Sequence, residues 1–286
     1  MKVAVIGAGG MLGRALVRHC RSLGDEVADF DHQALDITDE RAVAVALDEA
    51  RPDSVINCAA WTDVDGCELD PQRAYEVNAR GVELLASASR RTGAGFVTVS
   101  TDYVFDGEKA GFYTQRDDPH PASIYGKAKL QGERLAQAAS ARTVIVRTGW
   151  IYGAGGRNFL ATVIERARRG ERLKAISDAY GAPTYAEDLA ERLRELAERD
   201  LPGIYHVVNA GEGTTFAGFA REALRVAGLA AEVEEVSMDA LKRPAPRPRN
   251  SRLRCLLSEA IGLARMPDWR DALGRFAART AGERDG

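Results

Sequence analysis

The strongest constraint on this chain is a run of glycines set between two kinds of periodicity. An apolar strand, Lys2–Ile6, leads into Gly7-Ala8-Gly9-Gly10-Met11-Leu12-Gly13, and an amphipathic helix, Met11–Leu23, follows at once. The spacing is Gly-x-x-Gly-x-x-Gly on Gly7, Gly10 and Gly13. A strand that turns tightly through glycine and restarts as a helix brings backbone N–H groups to a helix N-terminus, where a pyrophosphate binds. The glycines alone carry little weight; their place between strand and helix gives them meaning. Met11 and Leu12, inside the run, belong with the glycines as cofactor-contacting residues.

The same alternation continues through the first half. Strand patterns at Glu26–Phe30, Asp53–Asn57, Phe96–Ser100 and Thr143–Arg147 are separated by helix patterns at Asp39–Ala50, Pro71–Arg91 and around Tyr125. This predicts an α/β fold, a doubly wound parallel sheet covered on both faces. After Trp150 the rhythm loosens: a helix at Asn158–Arg169, a short strand at Arg172–Ile176, a helix at Glu187–Arg199 and a basic, proline-broken loop at Lys242–Asn250. We expect residues 1–150 to form the dinucleotide-binding domain and 151–286 a smaller substrate-binding lobe. The strand at Gly203–Val208 is expected to return to the main sheet.

A net charge of -3 gives no electrostatic case for nucleic acid or an anionic membrane surface. Met1-Lys2 runs into the first strand without an apolar signal region, and no apolar stretch approaches bilayer length. A cytoplasmic location is therefore expected. Cys20, Cys58, Cys67 and Cys255 are scattered, and the four His residues have no metal-ligand spacing, so no metal is expected.

Asp31 ends the second strand about twenty residues beyond the glycine turn, where a carboxylate accepts from ribose hydroxyls and tilts preference toward NADH. Arg14 or His32 could still accommodate NADPH. Asp36-Ile37 ends the next strand-like segment and either flanks the adenine or caps the following helix. Asn57-Cys58-Ala59-Ala60 leaves its strand with small side chains, giving a dinucleotide room; Ala60, Trp61 and Thr62 are candidates near the nicotinamide ribose.

Ser100-Thr101-Asp102-Tyr103 closes an apolar run, and Tyr125-Gly126-Lys127-Ala128-Lys129 follows. Tyr125 and Lys129 are four apart and share a helix face. Reducing a ketone by hydride requires a proton for the developing alkoxide and a donor aimed at that oxygen. Tyr125 is the proton donor in this reading, Lys129 lowers the phenol's pKa and grips the nicotinamide ribose, and Thr101 gives the carbonyl a second hydrogen bond. Tyr-x-x-x-Lys alone is common; the combination, in order, after a dinucleotide turn, is what points to chemistry.

With these motifs in place, the chain resembles the extended short-chain dehydrogenase/reductases and, within them, the dTDP-4-dehydrorhamnose reductase family. The resemblance rests on Gly7–Gly13, Asn57–Asp65, Asn78, Ser100–Phe105, Tyr125–Lys129, Arg147-Thr148-Gly149-Trp150, Asp178–Thr184 and Arg247–Ser251, and so spans nearly the whole chain. It implies reduction of the 4-keto group of a dTDP-linked 4-keto-6-deoxyhexose with NADPH or NADH. Thr101, Tyr125 and Lys129 match that family's catalytic trio, and Asp102 and Trp150 fall where it contacts substrate. Trp150 would lay an aromatic face along the deoxysugar, or else pack in the core beside Tyr152. Arg247 or Arg249 would meet the nucleotide pyrophosphate, unless the loop is simply a solvated basic one. The long helices Pro71–Arg91 and Ser123–Ala139 could pair across a two-fold as a homodimer, as in related enzymes. Cys58 departs from the small apolar residue usual there, and Trp61 stands at a variable position.

Three rivals are weighed against this. The related dehydratases carry Thr-Asp-Glu where this chain has Thr101-Asp102-Tyr103, so the glutamate base is missing. A 4-ketoreductase of another nucleotide deoxysugar would look the same. A non-catalytic relative, such as the regulatory subunit of methionine adenosyltransferase, is opposed by the intact trio.

Overall fold

A computed structural model describes residues 1–156 and 159–282. The dinucleotide-binding region is built from β1 (Lys2–Ile6), α1 (Met11–Ser22), β2 (Glu26–Phe30), α2 (Glu40–Ala50), β3 (Ser54–Asn57), α3 (Val64–Leu69), α4 (Pro71–Tyr75), α5 (Gly81–Thr92), β4 (Gly95–Thr101), α6 (Ile124–Ala139) and β5 (Thr143–Thr148). Then come β6 (Ile151–Tyr152), α7 (Phe159–Arg168), β7 (Leu173–Ile176), β8 (Tyr180–Gly181), β9 (Thr184–Tyr185), α8 (Ala186–Arg199), β10 (Gly203–His206), β11 (Thr214–Thr215), α9 (Phe216–Val226), β12 (Val233–Val236), α10 (Leu257–Ala260) and α11 (Trp269–Gly282). Asn158, placed at a helix start by the sequence pattern, lies outside the described residues.

The main sheet has six parallel strands in the order β10-β5-β4-β3-β1-β2. β1 shows why: Val3 and Val5 join one apolar cluster while Ala4 and Ile6 join another. A strand buried on both faces must be apolar throughout, and only helices on both sides supply that cover. One layer is α1 and α8, through Leu12, Leu16, Leu189, Leu193 and Leu196. The other includes α2 and α5, through Val43, Leu47, Val82 and Leu85, with Ala136 of α6. β10 lies beside β5 at the edge, with Ile204 against Ile145. A separate aromatic cluster gathers around Tyr152, Phe219, Trp269 and Phe276.

Two local expectations are corrected. The uniform helix Pro71–Arg91 is interrupted by a π-turn at Glu76–Arg80. Such bulges turn a side chain out of register; here the turn carries Asn78, whose amide holds the Trp61 backbone from both sides, accepting from its N–H at 2.9 Å and donating to its carbonyl at 3.0 Å. The segment ending at Asp36-Ile37 is a turn, not a strand. Asp36 accepts from the Thr38 N–H and hydroxyl, and Asp39 caps α2. Asx turns of this kind compete with the ladder hydrogen bonds a strand would need.

Candidate active site

The glycine turn is shaped by contact. Gly7 has φ +78°, and a Cβ there would lie 2.7 Å from the Ala59 nitrogen. A Cβ on Gly13 would lie 2.2 Å from the Gly7 carbonyl oxygen, so α1 can start this close to the turn only with glycine there. Leu12 is buried in the core, so its side chain serves packing and only its backbone can reach a ligand. Met11 sits against Gly153 and Gly156 of the loop beyond β6.

Beside this turn lies a cleft of about 640 Å³, lined by Gly7, Gly9, Gly10, Asp31, Asp36, Ile37 and the Cys58–Trp61 segment among others. Its lining suits a dinucleotide: glycine backbone, a strand-end carboxylate and the small side chains of the β3 exit. Asp31 uses one oxygen, Oδ1, to accept from Gln33 and Ala34 N–H at 2.9 Å. His32 stands in the wall beside it, whereas the Arg14 guanidinium is occupied by the carbonyls of Gly9 and Gly155. Of the two residues weighed for NADPH, His32 is therefore the one that lines the cleft beside Asp31. Thr62 is exposed and is not among the residues that line the cleft. Arg73, which no motif singled out, lines it with its guanidinium 4.6 Å from the Trp61 ring centre. Nothing in local spacing announces Arg73; the fold of α4 over the β3 exit brings it there.

The trio is gathered near the carboxyl end of β4. Thr101 ends the strand, and its hydroxyl donates to Asp102 Oδ1 and accepts from the Tyr103 N–H. Ser123 caps α6 by accepting from Gly126 N–H at 3.2 Å, which sets the first turn that carries Tyr125. Lys129, one turn on, donates to the Val99 carbonyl at 2.8 Å. Tyr125 is 8% exposed and Lys129 4%. Burial pulls Lys129 down to about 8, opposed by Glu133 and Cys58. Burial drives Tyr125 upward, opposed by Thr101. The expectation that Lys129 lowers the phenol's pKa is not met in the protein alone: desolvation dominates, and the neighbouring Asp102, Tyr103 and Cys67 push the same way. The phenol is held protonated, the form a proton donor requires.

Asp102 is buried with Oδ2 unpartnered, and its carboxyl lies against Gly149, where a Cβ would be 2.4 Å from Oδ2. Burial pushes it up to about 6, with Ser251 and Thr101 opposing. Because the folded protein favours the protonated acid, stability is highest below the ordinary carboxylate range and falls as pH rises through about 6. The penalty above that pH is on the order of 2–3 kcal/mol. In Asp102→Asn the loss between pH 4 and pH 7 is expected to shrink by that amount, read as the difference between the two proteins' urea unfolding free energies. An identical pH dependence would count against it.

Trp150, Arg247 and Arg249 are less available than the sequence implied. Trp150, at φ +49°, stacks on Phe216 with ring centres 3.8 Å apart and packs against Gly181, so one face is taken. On that side it packs, partly buried, against the aromatic cluster of Tyr152 and Phe219. Arg247 is paired with Asp65 at 2.6 Å and sits beside Tyr103, which itself meets Tyr125 edge-on at 5.8 Å. Arg249 is tied to Asp178 and Asp239, away from Asp65. Of the two arginines, Arg247 is next to the reacting groups. Removing the Asn78 amide, as in Asn78→Ala, leaves the Trp61 N–H unpaired and its carbonyl with only the Cys67 thiol; a stability loss of about 1–3 kcal/mol is expected in thermal unfolding, with weaker cofactor binding. Among the described residues no His, Cys, Asp and Glu cluster could hold a metal ion, and no helix is long and apolar enough to cross a membrane.

A parallel sheet with a glycine-cradled cleft and a Thr–Tyr–Lys set at the carboxyl end of its central strand defines an extended short-chain dehydrogenase/reductase. Residues 1–281 match the model of the RmlD substrate binding domain family, and the chain belongs to that family. It is 42% identical over 276 residues to a dTDP-4-dehydrorhamnose reductase of Streptomyces griseus, covering 94% of this chain and 90% of that protein. It is 40% identical to a probable dTDP-4,6-dihydroxy-2-methyloxan-3-one 4-ketoreductase of Streptomyces antibioticus, covering 96% and 93%. The crystal structure of the Bacillus anthracis dTDP-4-dehydrorhamnose reductase in complex with NADP superimposes with a TM-score of 0.94 at 35% identity, covering 98% of this chain and all of that one.

Proposed function

We propose that this protein reduces the 4-keto group of a dTDP-linked 4-keto-6-deoxyhexose, converting dTDP-4-dehydro-L-rhamnose to dTDP-L-rhamnose at the expense of NADPH or NADH. The observation that carries the reading is the burial of Tyr125 and Lys129 together on one face of α6, with Thr101 buried at the carboxyl end of β4. The bound nicotinamide supplies the hydride that adds to the carbonyl carbon. Tyr125 gives its phenolic proton to the carbonyl oxygen, and Thr101 donates a second hydrogen bond that orients it. Lys129, as a cation, offsets the charge left on the phenolate. Burial of the whole set strengthens each of these interactions. Arg247 and Arg243, whose charges act on Tyr103 and Asp65, provide the positive potential for a substrate diphosphate.

Asp102 and Trp150 bound the sugar in this reading, and Asp31 with Gly7, Gly10, Met11, Leu12 and Gly13 holds the dinucleotide. The likeness to the Streptomyces antibioticus ketoreductase supports a second reading, a 4-ketoreductase acting on another nucleotide deoxysugar. Mixing the purified protein with NADPH or NADH and a panel of nucleotide 4-keto-6-deoxysugars separates them. Cofactor oxidation is expected with the rhamnose precursor; oxidation only with a different deoxysugar would favour the second reading, and none with any would sink both. A homodimer in the cytoplasm completes the proposal, to be checked by sedimentation and cell fractionation.

A further inference from the structure

Below the reacting groups lies a charged layer that no motif role accounts for. Glu133 is two turns beyond Tyr125 and one beyond Lys129 on the same face of α6, and it is 3% exposed. Both its oxygens are used. Oε1 accepts from Ser100 Oγ at 2.5 Å and from Arg147 Nε at 3.0 Å, and Oε2 accepts from Arg147 Nη2 at 2.7 Å. Ser100 and Arg147 are register partners on β4 and β5, and Ser100 immediately precedes Thr101. One carboxylate thus bolts the catalytic face of α6 to the two strands beneath it.

Lys129 has no carboxylate within ion-pairing distance among the described residues; its amine rests on the Val99 carbonyl. The groups acting on it are Glu133 from its own helix, Cys58 from the β3 exit, and the Val99 carbonyl from β4. Arg147 of β5 faces Glu133 and lies 5.3 Å from the Phe105 ring centre. A buried ammonium without a counter-charge is unfavourable. Counting formal charges, Lys129, Arg147 and Glu133 sum to +1; without Glu133 the same buried volume holds +2. A buried ion pair is often no better for stability than apolar residues of the same size, so stability alone gives Glu133 and Arg147 little reason to be charged.

We propose that Glu133 is a positioning residue of the reaction: its carboxylate, clamped by Arg147 and Ser100, seats the Tyr125–Lys129 face on β4 and keeps the buried Lys129 amine protonated through turnover. This rests on the reading of Tyr125 as proton donor, since the phenolate it leaves requires a cation beside it.

The test follows Lys129 directly, by NMR of protein labelled with ¹³C-lysine and loaded with NADPH, with Lys129→Arg to assign the signal. The pH profile of kcat is measured in parallel. In Glu133→Gln the Lys129 titration midpoint is expected to fall by about one pH unit or more. The alkaline limb of kcat should move with it, while affinity for NADPH changes little. Glu133→Asp should restore the midpoint. Because Glu133→Gln leaves Arg147 unpaired, the double variant Glu133→Leu/Arg147→Met guards against misfolding; it returns the buried charge to +1, so it should fold and show a smaller drop in midpoint than Glu133→Gln. An unmoved midpoint and an unmoved profile in a folded Glu133→Gln would overturn the proposal. A moved midpoint in a protein that reduces no ketosugar would instead overturn the reaction assigned above and leave the charge role standing.

Discussion

Replacing Tyr125 with Phe is expected to reduce turnover by roughly 10²–10⁴-fold, the usual worth of a positioned acid, with NADPH affinity nearly unchanged. The variant removes one oxygen from a ring that stays packed among Cys67, Ala74 and Ala128, so the fold has little reason to respond. The Thr101 hydroxyl keeps its bonds to Asp102 Oδ1 and the Tyr103 N–H at 3.1 and 3.2 Å, so the local turn survives too. What is lost is the proton delivered to the carbonyl oxygen. Steady-state kinetics with a dTDP-4-keto-6-deoxyhexose, beside a fluorescence titration with NADPH, separates chemistry from binding. Turnover within threefold of wild type would mean that another group supplies the proton.

The second large effect belongs to the cofactor turn. In Gly13→Ala the new methyl would lie 2.2 Å from the Gly7 carbonyl oxygen and 2.8 Å from the Ala8 Cα, both backbone atoms that cannot rotate away. α1 must retreat, taking its first-turn N–H groups from the pyrophosphate position. Losing two such hydrogen bonds to a charged phosphate corresponds to about 3 kcal/mol, or on the order of a 10²-fold weaker Kd for NADPH. Overpacking adds a stability loss of about 1–3 kcal/mol. Calorimetric titration and thermal unfolding read the two effects separately. Cofactor affinity equal to that of the wild type would contradict the cradle described for Gly7 and Gly13.

Much of this was legible in the sequence because the relevant signals are local. β1, the glycine turn and α1 are adjacent in sequence, and their periodicity announces them. Tyr125 and Lys129 are one helical turn apart, and Thr101 closes an apolar strand. What was not legible depends on distant segments meeting. The π-turn at Glu76–Arg80 accompanies a clasp between Asn78 and Trp61, seventeen residues apart, and helix propensity carries no trace of it. The pairing of Arg247 with Asp65 joins residues 182 apart. That one side of Trp150 is covered depends on α9, whose Phe216 stacks on it. The pKa of Tyr125 is set by how deeply the fold buries it, so a neighbouring lysine could not be read as the dominant influence from spacing alone.

Hydride delivery to the carbonyl carbon, with Tyr125 completing the alcohol, is the centre of this account. It is tested most directly by incubating the protein with a dTDP-4-keto-6-deoxyhexose and NADPH deuterated at C4, each face in turn, then locating the label by NMR. Deuterium at C4 of the product sugar from one face of the cofactor, and almost none formed by Tyr125→Phe in the same time, is the expected result. Cofactor oxidation that leaves no deuterium on the sugar, or full labelling by Tyr125→Phe, would contradict it.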